Sequence, residues 1–332
     1  SMTGEKAKIG VIGAGAWGTA LAQVLSEDQN ELLLWAREPE VMDQINSTHE
    51  NRSFLPGHRL RDNIRATQDW DIIATCDILL LVTPAQHLRA TLQALPDSDA
   101  ALILCCKGIE ARSRLLLSEV AKIVRPDNDL AVLSGPTFAH EVAQGLPTAL
   151  TLACESEALW ARLNPLIAKP RFRPYYSDDI AGAEIGGAVK NVLAIGCGVV
   201  DGAGLGQNAR ASLISRGFAE MLRYGEARGA RAETLAGLCG LGGLVLTCSS
   251  TSSRNFSLGK GLGEGKSAEL LLSDRKTVAE GASTAPVLQK DAKARNVEMP
   301  IVDAVCALLT GQADIHSVVT QLMKRPLVSE RR

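Results

Sequence analysis

Residues 7–18 read AKIGVIGAGAWG, and this stretch narrows the possible folds more than any other. A short apolar run, Ile9 to Ile12, leads into Gly13-Ala14-Gly15-Ala16-Trp17-Gly18, and the helix-forming sequence TALAQVL follows directly. Strand, glycine turn and helix in that order is the context in which G-x-G-x-x-G binds a dinucleotide. Gly13 permits the tight turn, Gly15 lets the backbone approach a pyrophosphate, and Gly18 lets the new helix pack closely on the strand. The N–H groups and positive dipole end of that helix then face the phosphates.

The rest of the first half alternates in the same way. Apolar strand signals fall at residues 8–12, 31–35, 78–83, 101–105 and 130–133, with amphipathic segments at 19–26, 38–47, 86–95 and 112–123. Strands alternating with helices predict a parallel, doubly wound sheet, and continuously apolar strands are those buried on both faces. A further strand pair is expected at 148–153 and 172–176. Beyond about Asp178 strand signals give way to helical ones, at 178–199, 209–228, 231–237, 267–272, 284–295 and 301–309. The expectation is an α/β chain with a Rossmann-type doubly wound sheet at 1–178 and an all-helical C-terminal domain at 179–332, joined near Asp178 to Ile180. One stretch of low complexity, residues 246–265, is rich in hydroxyls and glycine.

Composition removes several classes of partner. The net charge is −2 with no basic block, and nucleic-acid binding needs clustered Lys and Arg. No apolar run is expected to reach the length of a membrane span. The opening SMTGEKAK lacks the apolar core of a secretory signal. Eight scattered cysteines without a C-x-x-C pair fit a reduced, cytoplasmic protein with buried thiols. The five histidines show no metal-ligand spacing.

Three further places carry chemistry. Lys190 lies in the apolar helical stretch GAEIGGAVKN, with Gly186 and Gly187 on its face, where they would give a ligand room to approach. Burial there would lower the lysine pKa and suit it to proton transfer; the alternative is a side chain that snorkels to the surface. Arg254-Asn255, after a run of Ser and Thr, suits a phosphate because the guanidinium fork matches it; the alternative is a solvated flexible loop. Lys107 and the segment Ser134-Gly135-Pro136-Thr137 each follow a strand, and ligands of open α/β sheets bind beyond strand carboxyl ends. After the second strand, Arg37 stands about where an acid would hold the ribose of NAD. That favours NADP over NAD, with Glu38 leaving NAD open.

The blocks GAGAWGTALA, KGIE, LSGPTFAHEVAQGLPTA, GGAVKNVLAI, NARASLISRGFAEM, GLGGLVLTC and SRN occur in an order and spacing that resembles bacterial NAD(P)-dependent glycerol-3-phosphate dehydrogenase, from about Lys8 to beyond Glu298. The resemblance implies interconversion of sn-glycerol 3-phosphate and dihydroxyacetone phosphate, supplying glycerol phosphate for phospholipids, with a homodimer plausible. It makes Lys190 the catalytic lysine and Lys107 a second lysine that polarises the carbonyl and lies by the cofactor. Gly135, Thr137, Asn191, Gly243, Thr247, Ser253, Arg254 and Asn255 match substrate-pocket positions. Ala16, Trp17, Arg37, Ala139, Arg254, Val278 and Glu280 match cofactor contacts, beside Gly13, Gly15 and Gly18 of the turn. Two departures stand out. Ala16 replaces a serine common in the phosphate turn. Gly243 replaces a site carboxylate, for which Glu280 or Asp201 could substitute. The second departure keeps open a weakened paralogue that retains both pockets, and a related dehydrogenase for another 2- or 3-hydroxy substrate remains a separate alternative.

Overall fold

The computed structural model describes residues 7–28, 31–273, 279–323 and 327–330. The chain divides into two compact units. One comprises Ser1–Cys106 with Leu117–Ile180, the other Lys107–Leu116 with Ala181–Arg332. Residues 107–116 therefore leave the sheet unit whose strand they follow.

The first unit is built on β1 (Lys8–Ile12), β2 (Glu31–Trp35), β3 (Ile64–Thr67), β4 (Ile78–Leu81), β5 (Ala101–Leu104), β6 (Leu130–Ser134), β7 (Thr148–Cys154) and β8 (Phe172–Ser177). Their order in the sheet is β3-β2-β1-β4-β5-β6-β7-β8. Pairs from β3 through β6 are parallel, β7 runs antiparallel to β6, and β8 is parallel to β7. The expected doubly wound sheet is thus present, with two strands appended. β4, β5 and β6 are buried at every residue, which is why they read as unbroken apolar runs. β3, absent from the sequence reading, is a four-residue edge strand with Arg65 exposed; it is too short and too polar to signal itself.

The helices of this unit are α1 (Ala16–Leu25), α2 (Pro39–Thr48), α3 (Trp70–Ile73), α4 (Leu88–Ala94), α5 (Leu117–Val124), α6 (Ala139–Ala143) and α7 (Glu157–Ile167). The start of α5 and the presence of α3 and α7 differ from expectation. α7 was not anticipated because Pro165 lies inside it, yet Ser156 caps its start by accepting from Leu159 N. The helix expected at 112–123 begins only at Leu117, because Arg112 and Arg114 have φ of 66° and 58°, which no α-helix accepts.

The second unit contains α8 (Ile180–Gly202), α9 (Gly206–Ala227), α10 (Ala232–Leu235), a π-helical turn (Leu238–Gly242), α11 (Gly243–Thr247), α12 (Arg254–Gly263), α13 (Ala268–Leu272), α14 (Glu280–Ala294), α15 (Pro300–Leu309) and α16 (Ile315–Met323). By length and composition α8 could cross a membrane, contrary to the expectation of no such run, but its apolar window is entirely buried inside the protein. It is the central helix of the unit, and apolar residues of α8, α9, α14 and α15 form one core around it. Ile109 and Leu116 belong to the same core. The start of α15 is held by the buried Glu220, which accepts from Ile301 N and Val302 N.

The glycine-rich segment after the hydroxyl run is helix α12, not a loop. Its glycines allow contact with α8. A Cβ at Gly259 or Gly263 would overlap the carbonyl oxygen of Ile195 or Val199, and one at Gly198 or Gly202 would overlap that of Phe256 or Lys260. Glycine Cα atoms of each helix therefore lie over carbonyls of the other, as in Cα–H···O contacts. Gly198→Ala should destabilise the protein by about 3 kcal/mol, since backbone must move. Gly196 on the same helix has only ordinary contacts from 3.4 Å outward; Gly196→Ala should be neutral or stabilise by up to about 1 kcal/mol through helix propensity. Denaturant titration of the two variants checks the contrast.

Candidate functional site

In the sheet unit the strand order reverses between β1 and β4, the place where open α/β sheets bind ligands. The β1–α1 turn lies there. Gly13 has φ +119°, and a Cβ on it would stand 2.6 Å from Val82 O. A Cβ on Gly18 would overlap Gly13 O, whereas nothing lies within 4 Å of the Cβ position of Gly15. The first and third glycines are thus needed by the fold, and the middle one leaves the backbone open to a ligand. No side chain caps α1, so its leading N–H groups suit an anion. Ala16 and Trp17 begin that helix and pack on the unit's core.

Two groups here were not read from the sequence. Buried Asn51 donates to Ala14 O and Thr19 Oγ1, both at 2.9 Å, and so braces the turn. Nothing local to Asn51 signals this long-range role. Thr83, just beyond β4, has a buried hydroxyl with no hydrogen-bond partner in the protein. An orphaned hydroxyl at the switch point, beside an open glycine and an uncapped helix start, fits a dinucleotide. Arg37 is exposed after β2, and Gln68 fixes its backbone by donating to Ala36 O and Arg37 O. At the end of β6, a Cβ on Gly135 would meet Leu150 Cβ at 2.6 Å, and Ser134 Oγ is buried without a partner in the protein. Thr137 is half-buried, and Ala139 opens α6.

In the helical unit Lys190 projects from α8 and is 5% exposed; it does not snorkel. Gly186 serves packing and not ligand access, because a Cβ there would stand 2.7 Å from Cys239 O. The π-helical turn lies against it. Burial first, then the charge of Lys107, brings the Lys190 pKa down to about 7, with Cys239 opposing the shift. Lys107, although it follows β5, thus acts on Lys190 from within the same unit.

Gly243 explains how the lysine is housed. A Cβ there would stand 2.7 Å from Lys190 Cδ and 2.8 Å from Nζ. The end of the lysine therefore occupies the space into which a side chain at 243 would project. Neither of the two carboxylates that could substitute is among the charges that shift Lys190. Asp201 lies about three turns farther along α8 and faces Lys260 at 3.8 Å. Glu280 acts instead on Arg254, where its charge opposes a lowering of the pKa caused by desolvation.

Asn191, Ser253, Arg254 and Asn255 gather around the starts of α12 and α14. Ser253 caps α12 by accepting from Phe256 N at 3.2 Å. Arg254 opens α12 with its side chain accessible. Buried Asn255 accepts from Gly281 N at 2.8 Å. A Cβ on Gly281 would stand 2.6 Å from Asn191 O, so Asn191, Asn255 and the start of α14 form one cluster. Thr247 closes α11 with its hydroxyl donating to Gly243 O at 2.8 Å. Val278 lies outside the described residues.

Two family models match the chain, one described as NAD-dependent glycerol-3-phosphate dehydrogenase N-terminus over residues 8–160, the other as the C-terminus over residues 179–320. A protein of Erythrobacter litoralis (strain HTCC2594) named glycerol-3-phosphate dehydrogenase (NAD(P)+) is 64% identical over 324 residues, covering 98% of each chain. One of the same name from Novosphingobium aromaticivorans is 62% identical over 324 residues, covering 97% of this chain and 98% of the other. Among solved structures, the crystal structure of glycerol-3-phosphate dehydrogenase from Coxiella burnetii superposes with a TM-score of 0.92 at 36% identity, covering 96% of this chain and 99% of that one.

A buried cation without a neighbouring carboxylate at 243 has a thermodynamic signature. Because the folded-state pKa of Lys190 is about 7 against an ordinary 10.5, the unfolded chain binds more protons between those values, and stability should climb with pH across that window. Lys190→Met should remove this climb and raise stability at neutral pH by roughly 1 kcal/mol or more. Unfolding free energies measured through the window for both proteins check the sign.

Proposed function

The chain belongs to the NAD-dependent glycerol-3-phosphate dehydrogenase family, and from that premise we propose that it interconverts sn-glycerol 3-phosphate and dihydroxyacetone phosphate, with Lys190 as the proton donor and acceptor. The observation that carries this reading is a deeply buried lysine whose pKa is lowered to about 7 with a second lysine acting on it. A group poised near neutrality can both give and take a proton.

The nicotinamide of NADPH or NADH, when bound, supplies the hydride in the reducing direction and accepts it in reverse. In reduction the carbonyl carbon of dihydroxyacetone phosphate gains the hydride while its oxygen takes a proton from the Lys190 ammonium. In oxidation neutral Lys190 removes the hydroxyl proton as the hydride leaves carbon. Lys107 adds positive charge where negative charge grows on oxygen, which favours the transition state over the neutral ketone. Arg254 and Asn255 hold the substrate phosphate, supported by the hydroxyl of Thr247 and the amide of Asn191; a guanidinium fork at a helix start suits that dianion. The glycine turn and the start of α1 would hold the cofactor pyrophosphate, and exposed Arg37 would favour the 2′-phosphate of NADPH. This reading includes a cytoplasmic homodimer that supplies glycerol phosphate for phospholipid synthesis.

The test is spectrophotometric oxidation of NADPH and NADH on addition of dihydroxyacetone phosphate, with dihydroxyacetone as the control that lacks the phosphate. Turnover should require the phosphate, and Lys190→Ala should lower kcat by about a thousandfold. Reduction needs the protonated lysine and should fall off above the Lys190 pKa of about 7; oxidation needs the neutral amine and should rise there. Gly243→Asp places a carboxylate beside the ammonium, so both limbs should move to higher pH and reduction on the alkaline side should speed up. Comparable efficiency with dihydroxyacetone would reject the phosphate anchor. Separately, Arg37→Ala should raise KM for NADPH about tenfold or more and leave KM for NADH nearly unchanged.

A further inference from the structure

We propose that a buried cluster centred on Asp291 positions Lys107, by tying residues 107–116 to the helical unit and so fixing the Lys107 amine relative to Lys190. The proposal rests on the reading of those two lysines as groups that act on the substrate oxygen.

Asp291 lies on α14 and is 2% exposed. Tyr224 of α9 donates its hydroxyl to Asp291 Oδ2 at 2.7 Å, Arg228 donates to the same oxygen at 2.9 Å, and Arg295 Nε donates to it at 2.8 Å. Arg114 Nε approaches Oδ1 at 3.7 Å. Burial pushes the carboxyl pKa up, but the bonds from Tyr224 and Arg295 and the charges of Arg228 and Arg295 outweigh it and hold the group below its ordinary range. Three guanidinium groups on one carboxylate exceed what is needed to neutralise it. The excess is spent on the loop: Arg228 also donates to the carbonyl oxygen of Arg114 at 3.0 Å.

The segment it grips is shaped for such a hold. Ile109 and Leu116 pair in an antiparallel bridge and are both buried in the core of the helical unit. Between them the chain closes through Arg114 N to Glu110 O at 2.9 Å and Glu110 N to Leu115 O at 3.0 Å. Arg112 and Arg114 hold positive φ, a conformation that persists only where surrounding contacts impose it. Lys107 emerges at the foot of this closed loop, two residues before Ile109. The bridge anchors the foot, two residues from Lys107, and the Asp291 cluster anchors Arg114. At its other end α14 contributes Gly281 to the cluster with Asn191 and Asn255. One helix thus references both the second lysine and the residues assigned to the phosphate.

Arg228→Lys and Asp291→Asn in the full-length protein test the idea, with Arg114→Ala as a milder variant at the partly exposed rim of the cluster. Hydrogen exchange of the amides of 107–116 should quicken about tenfold or more in Arg228→Lys, because the loop opens locally without global unfolding. In the reduction of dihydroxyacetone phosphate, kcat should fall about tenfold and KM should rise as positioning is lost. The charged and titratable groups that reach Lys190 include Lys107 on the loop and Cys239 on the π-helical turn. With Lys107 released, the alkaline fall-off of kcat should move up by about one pH unit. In a Lys107→Met background the fall-off has already moved, and Arg228→Lys should shift it no further. A purely structural cluster would lower stability equally in both backgrounds and leave the pH profile in place. Unchanged exchange of 107–116 in folded Arg228→Lys, or an equal pH shift with and without Lys107, would overturn the proposal. Should Asp291→Asn fail to fold, Arg114→Ala must give the same directions at smaller size, and their absence counts against it. A wild-type protein that does not reduce dihydroxyacetone phosphate would overturn the proposed reaction, while the exchange comparison still decides the positioning role.

Discussion

Backbone touches backbone where α8 meets α12, and the helical unit depends on that contact. Gly198, Gly202, Gly259 and Gly263 each face a carbonyl oxygen where a Cβ would overlap it. Two helices this close behave as one rigid body, since interiors are close-packed and a single methyl group is felt. Lys190 and Asn191 ride on one helix and Arg254 and Asn255 on the other. The seam therefore sets the separation between the Lys190 amine and the Arg254–Asn255 pair. A constellation held on packed helices is more exact than one held on loops. Gly186 and Gly281 extend the same device, admitting the π-helical turn and the start of α14 against α8.

Electrostatics work against stability at this point. Lys190 is buried beside a second cation, and position 243 offers no carboxylate. The end of the lysine lies in the space that a side chain at 243 would take. An amine in such a place is easily deprotonated, which suits proton transfer near neutrality at the expense of folding energy. Asp291 shows the opposite arrangement, an acid with more cationic partners than it needs.

Much of this was legible in the sequence because the signals were local. The β1–α1 turn declared itself through glycine spacing, and the central strands through unbroken apolar runs. β3 was missed because four residues at a sheet edge carry no period. α7 was missed because Pro165 argues against a helix that a good N-cap and a buried face sustain. The run 246–265 misled for a related reason: glycine looks like flexibility until a facing helix requires its lack of a side chain. The start of α5 was misplaced because Leu115, Leu116 and Leu117 extend an apolar pattern that the backbone breaks at Arg114.

The sequence by itself determined the order of the central strands and the dinucleotide turn, because each depends on neighbours a few residues apart, and family resemblance singled out the two lysines. The sequence also determined that position 243 lacks a carboxylate. Tertiary structure alone decided that Lys190 is buried, that its amine fills the space at Gly243, and that residues 107–116 belong with the helices and not with the strand they follow. Those outcomes depend on which surfaces meet across long separations in the chain. Desolvation and close packing act through space, and no window of the sequence contains the partners that produce them.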